Sequence, residues 1–574
     1  MKANRGVIPV LWLAAAAVCA VLYAANLYLG EVNQDEGWYL YAARQVAEGR
    51  LPYVDFATTQ GPVMPFVYAW AQGLVDRWGV AGGRLFTVVL GVLTAGCTAW
   101  LACRVSGVAC GVSLLRPLGY AGRARVEGAA FAKATADKTA GKRVVALVAF
   151  AFVGVNVYQT YFTAIVKTYA LGGLLLVLGF LCLSYAEGRR AGAAAFLSGF
   201  FLALAAGTRS SAGVVIPVVF VGLCLQSRRA AKDPGRPRPP EPETADGHGS
   251  GQASTLVPLS FALGALLTCG VIFVPFAFKA PRGLWFALVE YHSGRQAGGV
   301  LPLLAYKAGF VSRVVQAYFM PISLVVAAWV YRWRRPWTVT VQGRPRSALL
   351  WLSVAAVTLV HFLTPFPYDD YQALVFPVFA AAAAVFVTRA FGGWGARLPL
   401  LAVLLCMASA FSSPINQSWF VGERDRIWWP LKKTSSLAQL REAGARLRGM
   451  AEPGDLLLTQ DTYLAVESGL AVPEGLELGP FSYFPDWPRA KAEACHVLNR
   501  AMLTELLRTT DARLAAFSGW GLSLAAPSVM ELPGEEQERL RGLVEERYRL
   551  AEEIERFGQA STTLRIYGRP EKDM

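Results

Sequence analysis

Two adjacent carboxylates, Asp35 and Glu36, follow the first long apolar run of the chain, in the stretch NQDEGWYLYAAR. Asn33 stands where a helix N-cap would. Glu36, three residues later, completes a capping box with it and so has a structural task before any chemical one. Asp35 lies in the first turn of the same helix, where the positive end of the helix dipole favours a carboxylate. Such a group suits a general base that takes a proton from a hydroxyl; the plainer alternative is an acid that only steadies the helix start. Both carboxylates are carried as catalytic candidates. The cations that would complement them are Lys167 in TYFTAIVKTYAL, Arg209 in GTRSS, and Arg295 in YHSGR, with His292 nearby. One cation near an apolar boundary is as well explained by snorkelling toward headgroups, but three from different loops favour a shared anion site. His292 has no second His or Cys at ligand spacing, which favours a hydrogen bond to an anion over metal ligation. Asp369 and Asp370 are read as solvated or paired with one of the cations.

The elements that must position these residues are apolar. The 574 residues are 54% hydrophobic and 17% charged, with a mean hydropathy of +0.38, too apolar for an ordinary soluble chain of this length. The net charge of +15 is spread over short loops between apolar runs, which fits the positive-inside rule and excludes a nucleic-acid-binding surface. Nine cysteines without C-x-x-C spacing (Cys19, Cys97, Cys103, Cys110, Cys182, Cys224, Cys269, Cys406 and Cys495) argue against a zinc site or a disulfide framework. Cys495, in the polar C-terminal region, is expected as a free thiol. No P-loop, H-E-x-x-H or G-x-S-x-G motif is present, so nucleotide hydrolysis and familiar zinc or serine chemistry find no support.

Runs long enough to cross a bilayer fall near 7–28, 82–103, 143–162, 163–185, 191–207, 212–226, 255–278, 308–331, 347–363, 371–388 and 396–412, which predicts eleven spans. With Lys2 and Arg5 in the cytoplasm, every second loop is basic: Arg104 to Arg143, Arg189-Arg190, Arg228 to Arg238, Arg332 to Arg346 and Arg389 to Arg397. The loop at 226–254, rich in Pro, Gly and charge and containing His248, reads as a disordered cytoplasmic connection. An odd span count places residues 413–574 outside the cytoplasm. There 453–461, 513–520 and 562–569 read as strands and 434–449, 489–508 and 535–556 as helices, a small α/β domain. Residues 1–412 are then the membrane domain. Asn416-Gln417-Ser418 matches a glycosylation acceptor, too short to carry weight alone.

The first outer loop, 29–81, is long and patterned. It predicts one surface helix over 36–48, stopped by Gly49, and a second over 62–77, opened by Pro62. Trp38, Tyr39, Tyr41, Tyr53, Trp70 and Trp78 read as rings at the headgroup level. Here the chain resembles the GT-C superfamily, the multi-span glycosyltransferases that include protein O-mannosyltransferases and lipid A aminoarabinose transferases. The matching residues are Asp35-Glu36 with Tyr39, Ala42 and Ala43, the G-R-L-P-Y stretch at Gly49 to Tyr53, and the Pro62 helix.

The resemblance implies an α-helical polytopic fold and sugar transfer on the outer face of the cell membrane, from a polyprenyl-phosphate donor to a lipid, glycan or protein acceptor. It implies that Asp35 is the base and that the chemistry is inverting. Phosphate is a good enough leaving group to need no general acid, so one carboxylate plus cations suffices. Lys167, Arg209, His292, Arg295 and Tyr371, the last in HFLTPFPYDDYQALVFPVF with Pro377, would hold the donor phosphate. Relatives often carry charged residues before the second surface helix, to help hold phosphate or a divalent metal; here Gln60-Gly61 stands instead. Two other readings remain, a polytopic transporter or lipid flippase and a non-catalytic relative; the crowding of polar residues outside the spans favours surface chemistry.

Overall fold

The computed structural model describes residues 4–106, 128–232, 252–295, 299–334, 345–418, 434–558 and 561–570. Among them, five helices are long and apolar enough to cross a membrane: Gly6–Leu29, Val80–Val105, Ala191–Thr208, Ser210–Arg229 and Leu256–Lys279. Val300–Ala317 and Phe319–Trp333 make a sixth if taken as one bent span, and four shorter apolar helices follow the same pattern. The chain is an integral membrane protein. Of the eleven expected spans, the remainder correspond to those shorter helices and to Gly128–Gly154. Most of the 226–254 loop, His248 included, lies outside the described residues, while 226–232 continue the helix Val215–Lys232.

Three expected spans are corrected in outline. The run at 143–162 is not one helix: it breaks after Gly154, and Asn156 caps a separate short helix, Val157–Phe162, through Gln159 N at 2.9 Å. That short buried piece leads directly to Lys167. The run at 308–331 is bent by 86° at Tyr318. Pro321 is the cause, because it has no N–H to offer the Ala317 carbonyl four residues back. Asn416 Nδ2 reaches the freed Ala317 carbonyl at 3.4 Å and that of Gln316 at 3.1 Å. Asn416, the residue of the glycosylation match, is therefore a buried bracket for the bend. The run at 371–388 begins as a 3-10 turn, Asp369–Leu374, before the helix Phe376–Ala390.

The first loop is capped as its sequence predicts. Asn33 and Glu36 form the complete box at the head of helix Gln34–Ala47, which ends before Gly49. The second helix is two short ones, Val63–Ala69 and Gln72–Trp78, parted where the chain tightens at Trp70 and Ala71. The headgroup assignment of the aromatic residues holds in exposure only for Trp70 and Trp78. Trp38, Tyr39 and Tyr41 are buried in protein on helix Gln34–Ala47, which lies beneath the C-terminal α/β unit, and Tyr53 is buried against Phe276 and Ala287. A Cβ on Gly37 would sit 2.3 Å from Tyr463 N, so the close approach of that helix to Thr462–Ser468 requires glycine.

Glu36 and Arg84 pin the helix to the bundle. Arg84 donates Nε to Glu36 Oε2 at 2.8 Å and Nη2 to Oε1 at 2.6 Å, both side chains being fully buried. Its remaining protons go to the carbonyls of Leu27, Gly30 and Glu31, the end of the first span. Glu36 also accepts from Asn33 N and Val166 N. One ion pair thus ties the first span, helix Gln34–Ala47, the head of helix Val80–Val105 and the approach to Lys167.

The C-terminal unit is built on a four-stranded sheet in which Leu457–Leu458 runs parallel to Leu514–Phe517, followed by antiparallel Thr562–Gly568 and Arg549–Phe557. The expected helix over 535–556 is half right: Gly534–Glu545 is helical, but Arg549–Phe557 is an edge strand. Its charged residues, Glu552, Glu553 and Glu555 among them, sit on an exposed sheet edge where charge opposes edge-to-edge pairing. The described cysteines are free, buried Cys495 included, and Cys110 lies outside the described residues. The unit docks on the first loop through Arg44 to the Leu470 carbonyl at 2.9 Å, Tyr41 OH accepting from Val472 N at 3.0 Å, and Glu477, 3.8 Å from Arg50.

Two predictions arise from these contacts. Arg84→Met strands a buried carboxylate and lowers stability by about 3–5 kcal/mol, read as a lower melting temperature of the detergent-purified protein; adding Glu36→Gln recovers most of the loss. Burial pushes the Glu477 carboxyl up to about 7, against opposing hydrogen bonds and the charge of Arg50. A raised carboxyl adds stability fully present below its unfolded value near 4.5 and lost as pH rises through about 7. Glu477→Gln therefore melts with wild type at pH 4.5 and above it at pH 8, by up to ~2–3 kcal/mol.

Candidate active site

The sequence candidates converge at the end of the bundle that carries the first loop. Asp35 leaves its capped helix with its side chain 29% exposed, the largest opening among the charged groups it meets. Its Oδ2 lies 3.0 Å from Lys167 Nζ, and the Trp38 indole reaches Oδ1 at 3.4 Å. Lys167 is the residue just before helix Thr168–Leu183, and its Nζ also contacts Asp370 Oδ2 at 2.9 Å. Tyr169 donates its hydroxyl to that same oxygen at 2.9 Å. Burial opposes ionisation of Asp370, but Lys167 and Arg209 outweigh it and hold the carboxyl below its usual range.

Arg209 follows helix Ala191–Thr208, donates to Thr168 Oγ1 at 3.1 Å, and lies over the rings of Tyr371 at 4.4 Å and Tyr169 at 5.0 Å. The Tyr371 hydroxyl takes no hydrogen bond from the described residues and faces the fields of Arg209 and Arg295. Arg295 stacks over Tyr291 at 5.1 Å and donates Nη2 to its hydroxyl at 3.3 Å. The Arg295 Nε is buried without a hydrogen-bond partner among the described residues. A buried guanidinium with an unused donor is costly unless an acceptor joins it. The arrangement therefore offers an anion two guanidiniums and a free phenol beside one accessible carboxylate.

Two candidates are placed differently. Glu36 has both oxygens committed to Arg84 and backbone N–H groups, and presents nothing to the cluster. His292 is pushed down to about 4 by burial and by Arg295, so its ring is neutral at pH 7. With Nε2 3.0 Å from the Thr59 carbonyl, that nitrogen carries the proton, and the imidazole braces the first loop without offering an anion any charge. The uncharged Gln60-Gly61 also has a reason in packing. A Cβ on Gly61 would stand 2.1 Å from the Gly207 carbonyl oxygen, so the loop is pressed against the end of the helix that delivers Arg209.

Sequence reasoning left Asp370 open, as solvated or paired with one of the cations, and did not single out Lys167 as its partner. It also missed the neighbouring set in which Asp369 joins Arg313 at 2.9 Å and accepts from the Tyr158 hydroxyl. The signal available was the doubled aspartate among prolines and aromatics. A divalent metal fits poorly. Among the described residues no three His, Cys, Asp or Glu side chains converge as ligands, and Asp35 and Asp370 already share the Lys167 ammonium.

No protein-family model and no curated protein matches the chain. Among solved structures, ArnT from Cupriavidus metallidurans bound to undecaprenyl phosphate is similar at a TM-score of 0.54 and 11% identity, over 96% of this chain and 97% of that one. Its apo form is similar at 0.53 and 14% identity, with the same coverage. The archaeal oligosaccharyltransferase AglB from Archaeoglobus fulgidus, in complex with an inhibitory peptide and a dolichol-phosphate, gives a TM-score of 0.42 at 10% identity over 88% of this chain and 69% of the other. At such identity the likeness is one of fold, and it extends over nearly the whole chain.

Proposed function

We propose that the chain is a membrane glycosyltransferase that moves a sugar from a polyprenyl-phosphate donor to a hydroxyl of a lipid, glycan or protein acceptor on the outer face of the membrane. The observation that carries this reading is the accessible Asp35 carboxylate in one cluster with Arg209, Tyr371 and an Arg295 whose Nε is buried without a hydrogen-bond partner among the described residues. The fold shared with a protein crystallised with undecaprenyl phosphate supports the choice of donor class.

Asp35 takes the proton of the acceptor hydroxyl as that oxygen forms its bond to the anomeric carbon. The bond from that carbon to the phosphate oxygen breaks on the opposite face, which inverts the centre. The electron pair leaves with the polyprenyl phosphate, and Arg209, Arg295 and the Tyr371 hydroxyl are aimed at the charge that develops there. Glu36 acts at a distance in this scheme, by holding the helix that presents Asp35. The N-terminus lies in the cytoplasm, and the chain divides near residue 412 into a membrane domain and an extracytoplasmic α/β domain that covers the first loop.

The test is transfer of radiolabel from a polyprenyl-phosphate sugar in membranes containing the protein. Asp35→Asn, inserted at wild-type level, lowers kcat/KM by about 10²–10⁴-fold; undiminished transfer removes Asp35 as the base. Arg295→Gln costs about 10²-fold or more, expressed mainly in kcat because the charge it meets grows toward the transition state. Wild-type protein that transfers no sugar but carries a lipid-linked solute across vesicles would be a transporter instead.

A further inference from the structure

We propose that the Lys167 ammonium is the resident cation of the two-carboxylate cluster, standing where a bound divalent metal would otherwise have to hold Asp35 and Asp370 together. The inference rests on Asp35 as the transfer base, but its own claim is narrower: which cation the two carboxylates share.

Asp35 comes from the first loop and Asp370 from the turn before helix Phe376–Ala390, and one nitrogen touches both, at 3.0 and 2.9 Å. These are ammonium–carboxylate distances; an octahedral Mg²⁺ would draw its oxygens in to about 2.0–2.1 Å. The Asp370 oxygen that meets Lys167 also accepts from Tyr169, so its lone pairs are taken. The rings of Phe162 and Tyr169 flank the ammonium at 5.6 and 5.8 Å, and its side chain is 10% exposed. The ammonium donates one proton to Asp370 and is ion-paired with Asp35, which limits what it can offer a donor phosphate. Lys167 is therefore a positioning residue that acts through Asp35, and the phosphate falls chiefly to Arg209, Arg295 and Tyr371. A second cation would meet repulsion from Lys167 and Arg209. Without the lysine the two carboxylates lose the cation they share, and their uncompensated charge favours capture of another ion there.

That last consequence supplies the test. Purified wild-type protein, Lys167→Ala, and Lys167→Ala with Asp370→Asn are titrated with Mn²⁺ and bound metal is read by electron paramagnetic resonance. Lys167→Gln, which keeps side-chain volume, takes the place of Lys167→Ala if the alanine variant does not insert. The expected result is no Asp370-dependent Mn²⁺ in wild type, one bound ion in the lysine variant, and its loss when Asp370→Asn is added. Wild-type transfer is expected to survive EDTA within about twofold, since no metal is removed from the site. Mn²⁺ bound by wild type and released by Asp370→Asn overturns the proposal, as does a lysine variant that acquires no ion, or wild-type transfer abolished by EDTA and restored by Mn²⁺. If no polyprenyl-phosphate sugar is ever transferred, the glycosyltransferase reading falls while the Mn²⁺ titration still decides this one.

Discussion

The buried pair of Glu36 and Arg84 is the interaction on which the site depends. Removing two charges from water costs several kcal/mol per ion, and such a pair holds only when every remaining donor and acceptor is met. Here both carboxylate oxygens and the guanidinium nitrogens are engaged, the latter with carbonyls at the end of the first span. That requirement is a geometric one. The first span, the capped helix, the second span and the Val166 backbone must all arrive together for the pair to be satisfied. Asp35 precedes Glu36 by one residue, so its direction is set by the same constraint, on the side of the helix that Arg84 does not occupy.

Beyond that pin, the cluster joins charges that the sequence scatters over more than three hundred positions. Lys167, Arg209, Asp370 and Arg295 arrive from four separate loops at one end of a helical bundle. Close packing makes this possible where side chains are small, as where Gly61 lies against the Gly207 carbonyl. Interactions between charges grow as water is excluded, so the cluster's acids and bases sort into pairs, with Asp35 more open than Asp369 or Asp370.

The C-terminal unit contributes by covering rather than by adding to the charge cluster. It buries the helix bearing Asp35 through Gly37, Tyr41 and Arg44, and Lys491 and Trp487 close on the segment that carries Arg295 through Glu290 and Phe286. Rigidity at the start of the first-loop helix thus has two sources, one within the bundle and one laid over it.

Much of this was legible in the sequence, because apolar length and capping chemistry are local. The helical bundle, the capping box of Asn33 and Glu36, the short strands at Leu457–Leu458, Leu514–Phe517 and Thr562–Gly568, and Lys167, Arg209 and Arg295 as boundary cations follow from residue type and spacing, whereas Asp35 as base and Tyr371 as a phosphate ligand rest on the family resemblance. The 86° bend had a local cause in Pro321 as well, though the hydropathy of the run concealed it. Tertiary structure alone decided the partners. That Glu36 meets Arg84, that Lys167 bridges Asp35 and Asp370, and that His292 is neutral against Thr59 depend on which distant loops share a low-dielectric space. A sequence shows which side chains can carry charge, but the energy of a charge is set by its surroundings, and those exist only once the chain has folded.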